Sequence, residues 1–201
     1  MRLIDTHSHL FWEEFSEDFP QVIERARAAG VTHIFMPNID STTIEAMLSA
    51  CSVYKGYCFP MIGLHPTSVN DNYEKELEIV ARELKFSKEY VAIGEIGMDL
   101  YWDKTYLKEQ QIVLDKQVNW ALEYDLPIVI HCRDAFDYIY KVLEPYKKTP
   151  LRGIFHSFTG TAEEATRVLE FSDFFIGING VVTFKKSHLP EILAGIPLEK
   201  I

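Results

Sequence analysis

Cysteine is scarce in this chain. Cys51, Cys58 and Cys132 are three, an odd number, and no two stand in Cys-x-x-Cys spacing. A disulfide framework is thereby excluded and a reducing compartment is expected. Positive charge is also short: 20 Lys and Arg against 30 Asp and Glu leave a net charge of -10. Long-range attraction to nucleic acid or to an anionic membrane is therefore absent, and a phosphodiester substrate would need local cations. No uncharged apolar run approaches membrane-spanning length; the stretch from Phe174 to Phe184 is too short and contains glycines. Met1 leads into a strand-like segment with an acid behind it, so no signal peptide is expected and the expected location is cytoplasmic. No Gly-x-Gly-x-x-Gly follows the first apolar run, which weakens a dinucleotide-binding reading. Low-complexity segments, linkers and short internal repeats are likewise missing.

What is present is an ordinary globular mix, 47% hydrophobic and 13% aromatic over 201 residues. That is one domain by length, spanning 1–201. Apolar runs alternate with helical patterns. Strands are expected at Leu3–Thr6, Val31–Met36, Tyr57–Ile62, Tyr90–Ile93, Leu126–Ile130, Arg152–Phe155 and Phe174–Ile178. Helices are expected at Pro20–Ala29 (Asp18 as cap, Gly30 as stop), from Ser41 as cap to Tyr54, and at Tyr73–Phe86, Thr105–Tyr124, Ala135–Tyr146, Thr161–Phe171 and His188–Ala194. Strands that are apolar throughout, rather than on alternate residues, imply a buried parallel sheet. Polar residues gather at the ends of several different strands, which suits the mouth of a TIM-type (β/α)8 barrel. Such a barrel usually takes ~250 residues. Here Pro197–Ile201 reads as the approach to an eighth strand, and the barrel is expected to be truncated at its C-terminal end with that strand missing.

The chemistry-bearing residues follow the apolar runs. Asp5-Thr6-His7-Ser8-His9 ends the first; residues two apart on a strand share a face, so His7 and His9 project together and offer half of a metal site. Glu95 follows strand four, His131 strand five and His156 strand six. A lone histidine in such a place is usually a hydrogen-bonded structural residue. Four strands delivering a His or Glu at the same point are harder to read that way. The set His7, His9, Glu95, His131 and His156 exceeds what one tetrahedral zinc needs, and Glu95, its sole acid, is suited to bridge two ions.

The segments "DTHSHL", "GLHP", "GEIGMDLYW", "IHCRDA" and "FHSFTG" resemble, in order and over nearly the whole chain, the TatD family of metal-dependent deoxyribonucleases, within the amidohydrolase-like barrel superfamily. The resemblance implies a barrel with a binuclear site, His7, His9 and Glu95 holding one metal and Glu95, His131 and His156 the other. It implies two divalent ions (Mg, Mn or Zn), Glu95, His131 and His156 at the catalytic centre, and hydrolysis of DNA by 3′-to-5′ exonuclease action on single-stranded ends. Two metals ~3.5–4 Å apart can clamp phosphate oxygens and activate water. A monomer without membrane contact is expected. The family's further acidic ligand, after strand eight, is not reached in these 201 residues.

Other residues carry weaker signals. His65, before Pro66, reads as a substrate contact or a turn-stabilising histidine. Arg133 suits a phosphate through its planar fork, or else a partner in Asp134 or Asp137. Asp99 reads as an acid orienting a metal ligand, or as a turn residue. Phe11, Trp12, Tyr101 and Trp102 suit stacking on unpaired bases or packing over the barrel top. His33 and His188 read as structural. Rival functions are a small-molecule amidohydrolase, in whose relatives a modified lysine bridges the metals where Glu95 stands here, a D-aminoacyl-tRNA deacylase, and an inactive metal-binding fragment.

Overall fold

The computed structural model describes residues 2–201 and divides into two compact units, Met1–Glu95 and Ile96–Ile201. In the first, β1 (Leu3–Asp5), β2 (Val31–Pro37) and β3 (Cys58–Met61) form a parallel sheet in the order β1-β2-β3. Helices α1 (Phe19–Ala28), α2 (Ile44–Val53) and α3 (Tyr73–Phe86) alternate with them. The local causes are plain. Pro20 opens α1, where a missing N–H costs nothing, and Gly30 closes it at φ 91°, a left-handed conformation that glycine adopts without penalty. Helix α3 buries Leu77, Val80 and Leu84, one face at helical spacing. Ile23, Ile34, Met36, Met47 and Ile62 are fully buried and form the centre of this core.

Strand β4 (Ile93–Asp99) starts in the first unit, where Ile93 bridges Ile62, and continues into the second. There β5 (Ile128–Arg133), β6 (Gly153–Phe155) and β7 (Phe174–Ile176) follow in the order β4-β5-β6-β7. The pairs β5–β6 and β6–β7 are parallel. Helices α4 (Leu107–Glu123), α5 (Phe136–Leu143), α6 (Ala162–Val168) and α7 (Leu189–Leu193) complete the alternation. Phe155 and Phe174, both essentially without exposure, anchor an aromatic core shared with Phe136 and Phe171. Thr161 and Glu164 cap α6 reciprocally, side chain to backbone in both directions.

The α/β class with parallel strands is as expected, and the described residues contain seven strands and seven α-helices. Several local expectations are corrected. Met1, at the head of the first apolar run, lies outside the described residues; Leu3 and Ile4 keep 37% and 56% of their surface exposed because β1 is an edge strand of its sheet. Ser41 does not cap α2: its N–H and hydroxyl both donate to Glu76 of α3, and α2 begins at Ile44. Asp18 makes no capping bond and instead accepts from Arg25. Within Pro197–Ile201, expected as the approach to an eighth strand, Leu198–Lys200 turn as a 3-10 helix, and no eighth strand is seen among the described residues. Strands four and five run later than expected, taking in Glu95 and Gly97 in one and His131 to Arg133 in the other. No helix among the described residues is long and apolar enough to cross a membrane.

Candidate metal centre

In the first unit, His7 and His9 lie beyond β1 rather than on it, since the strand ends at Asp5. They still converge. The segment stays extended because Ser8 N–H donates to the Phe35 carbonyl of β2, and Asp5 accepts from His7 N–H and the Ser8 hydroxyl. The two Nε2 atoms stand 3.2 Å apart. The Pro37 carbonyl accepts from His9 Nδ1 at 3.0 Å, which fixes the proton on Nδ1 and turns the Nε2 lone pair inward. Burial, reinforced by His7, lowers the His9 pKa against the opposing pull of Glu95 and Pro37, so this imidazole stays neutral and keeps its lone pair. Trp12 stacks on the His9 ring at 5.0 Å and 16°.

Glu95, on β4, is 3% exposed. Its Oε2 is 3.0 Å from His7 Nε2, 3.8 Å from His9 Nε2 and 3.7 Å from His65 Nε2. Ligand atoms of His7, His9 and Glu95 all fall within 4.8 Å of one another. Two imidazole nitrogens and a buried carboxylate oxygen make an electron-rich pocket of the kind a divalent cation occupies, and the donor types fit zinc or manganese as readily as magnesium.

His65 faces the same carboxylate but differs in its proton. Thr67 donates to its Nδ1 from both the backbone N–H (3.2 Å) and the hydroxyl (2.7 Å). The neutral ring then carries its hydrogen on Nε2. That atom is a donor, not a lone pair.

In the second unit, His131 lies inside β5 and His156 just past β6. His131 Nε2 donates to Asp99 Oδ2 at 2.9 Å. Asp99 is held in turn: Tyr101 N–H donates to its Oδ1, while Gln110 of α4 both accepts from its backbone N–H and donates to its carbonyl. The carboxylate thus fixes the tautomer of His131 and leaves the lone pair on Nδ1. His156 Nε2 meets the Ser157 hydroxyl at 2.8 Å and lines a cavity of about 280 Å³ with Cys132, Phe155, Phe158 and Glu164. Burial pushes the Cys132 thiol up to about 12. Arg133 is exposed and lies flat on Tyr101, 3.8 Å from the ring centroid, while Asp137, one of its expected partners, pairs with Arg167.

Of the five expected ligands, the structure gathers His7, His9 and Glu95 in the first unit with His65 beside them; His131 and His156 belong to the second. Sequence reading missed the Pro37 carbonyl, which carries no side-chain signal, and the buried amide of Gln110, whose signal is a glutamine on the apolar face of a helix.

A family model described as "TatD related DNase" matches residues 4–201. The chain belongs to the TatD family. Relatives include an uncharacterized metal-dependent hydrolase, YabD, of Bacillus subtilis, 36% identical over 99% of this chain and 77% of its own length. The 3′-5′ ssDNA/RNA exonuclease TatD of Pantoea ananatis is 30% identical over 99% and 76%. The crystal structure of YjjV, a TatD homologue of Escherichia coli, superposes with a TM-score of 0.91 at 30% identity, covering 99% of this chain and 76% of that one. A TatD-family hydrolase of Entamoeba histolytica, at 23% identity and TM-score 0.82, shares the fold. These likenesses bear out the TIM-type α/β class and place the chain in a family of metal-dependent hydrolases.

Proposed function

We propose that this chain is a metal-dependent phosphodiesterase that removes nucleotides from single-stranded DNA ends in the 3′-to-5′ direction. The observation that carries the reading is the inward-facing trio of His7, His9 and Glu95, a donor set suited to a divalent ion within the fold of a hydrolase family. The ssDNA/RNA exonuclease named among the relatives supports the choice of substrate. In this reading His7, His9 and Glu95 would hold one ion, and Glu95, His131 and His156 would hold a second. The bound ions would supply Lewis acidity toward the phosphoryl oxygen and lower the pKa of water.

The chain's own residues do the rest. The Pro37 carbonyl and Asp99 keep His9 and His131 in the tautomers that present lone pairs. His65 offers its Nε2–H to an oxygen of the substrate. Arg133, permanently charged and planar, takes a phosphate through its fork and supplies the local attraction that a net charge of -10 denies. Chelator-treated protein should not hydrolyse a single-stranded oligonucleotide. Adding magnesium, manganese or zinc should restore release of mononucleotides from the 3′ end. Inertness with every metal, beside metal-dependent cleavage of an amide or ester of a small molecule, would replace the nuclease by an amidohydrolase.

A further inference from the structure

Two large aromatic side chains of the second unit stand in solvent. Trp102 keeps 75% of its surface and Tyr101 51%. Their rings meet edge to face at 4.7 Å and 88°. The Arg133 guanidinium lies over Tyr101 at 3.8 Å and reaches Trp102 at 5.4 Å. Exposed indole is costly, and a loop with no ligand to serve would gain by folding it inward. This loop is instead held out. Leu100 N–H donates to the Arg133 carbonyl at 2.9 Å, tying the loop to the end of β5. Asp99 accepts from Tyr101 N–H on one carboxylate oxygen and from His131 on the other. One side chain therefore sets both the proposed metal ligand and the root of the aromatic loop.

We infer that Tyr101, Trp102 and Arg133 form a platform on which an unpaired nucleobase stacks against the Trp102 indole while Arg133 takes the adjoining phosphate. The inference rests on the nuclease reading and adds to it the group that selects single strands. Stacking on Tyr101 pre-orients the guanidinium, leaving its N–H edge for a phosphate. The exposed indole offers a π-face that any base can cover, so the contact is sequence-tolerant. A base inside a duplex is already stacked on its neighbours and cannot use it. In a chain of net charge -10, stacking supplies affinity that long-range attraction does not.

The test is binding by metal-loaded protein of a 5′-fluorescein oligothymidylate with phosphorothioate linkages, read by anisotropy. A second strand has the same linkages but abasic sugars at its 3′ end. Trp102→Ala should weaken binding of the intact strand about tenfold, the scale of one lost base stack, and Trp102→Phe should recover part of it. Both proteins should bind the abasic strand alike. Metal content and melting temperature should not move, because Trp102 lies at the surface. Equal binding of the intact strand by wild type and Trp102→Ala overturns the platform, as does an equal loss on the abasic strand. If no nucleic acid is cleaved but the base-dependent loss is seen, the nuclease reading fails and the platform stands. If both proteins cleave single strands with the same KM, the reading stands and the platform fails.

Discussion

In the first unit, His7, His9 and His65 all direct a ring nitrogen at one carboxylate oxygen, that of Glu95. In the second, His131 meets the carboxylate of Asp99 and His156 the hydroxyl of its neighbour Ser157. The first arrangement sets the Nε2 atoms of His7 and His9, with the Nε2–H of His65 beside them, around a buried acid, a donor set that a cation would complete. The second places one histidine in a hydrogen bond with the carboxylate of Asp99, whose other oxygen accepts from Tyr101 N–H and whose backbone is clamped by Gln110. Substitutions at the two places should therefore fail differently: loss of the ion in the first, loss of orientation in the second.

The largest effect is expected from Glu95→Gln. It removes the negative charge from the middle of the first group, and both metal content and hydrolysis should fall by more than the roughly 10–100-fold typical of losing an outer hydrogen-bond partner. Glu95→Gln protein with wild-type metal content would erase the contrast between the groups. Asp99→Asn should fall within that ~10–100-fold range for activity, with metal largely retained, because the amide still reaches His131 but no longer dictates its tautomer. Elemental analysis beside initial rates separates the two variants.

Gly97→Ala should act on stability first. A Cβ there would lie 2.0 Å from the His131 carbonyl oxygen, at φ 138°. Backbone strain of this kind costs on the order of 1–3 kcal/mol, measurable as a lower denaturant midpoint. An unchanged midpoint would show that β5 gives way freely, and that His131 is less firmly placed than the contrast requires. Smallest of all should be the response of the cysteines to iodoacetamide at pH 8. Burial raises Cys51 and Cys132 to about 12 and Cys58 to about 11, so thiolate is scarce and native protein should label slowly. Labelling as fast as in denatured protein would contradict that burial.

Much of this was legible in the sequence. The βα alternation followed from period and punctuation, and α3 has the bounds its apolar spacing gives. His7, His9 and Glu95 were found because chemistry-bearing residues cluster after apolar runs. The placement of Glu95 after a strand was wrong for a physical reason. The strand was expected to stop at Ile93, yet it runs on through Gly97, whose bare Cα is what lets it pass the His131 carbonyl. Ser41 failed as a cap because Glu76, 35 residues away, supplied a better acceptor. Thr161, read as the first residue of its helix, is instead the cap, because its partner Glu164 is local. The Pro37 carbonyl could not be read at all, since a backbone oxygen has no letter.

Glu95 is proposed to serve two ions, one with His7 and His9 and one with His131 and His156. Metal titration of chelator-stripped protein, counted per chain, tests it directly. Wild type should bind two ions, the His7→Ala/His9→Ala and His131→Ala/His156→Ala variants one each, and Glu95→Gln neither at wild-type affinity. Two ions retained by Glu95→Gln, or a single ion in the wild type that survives both double substitutions, would contradict it.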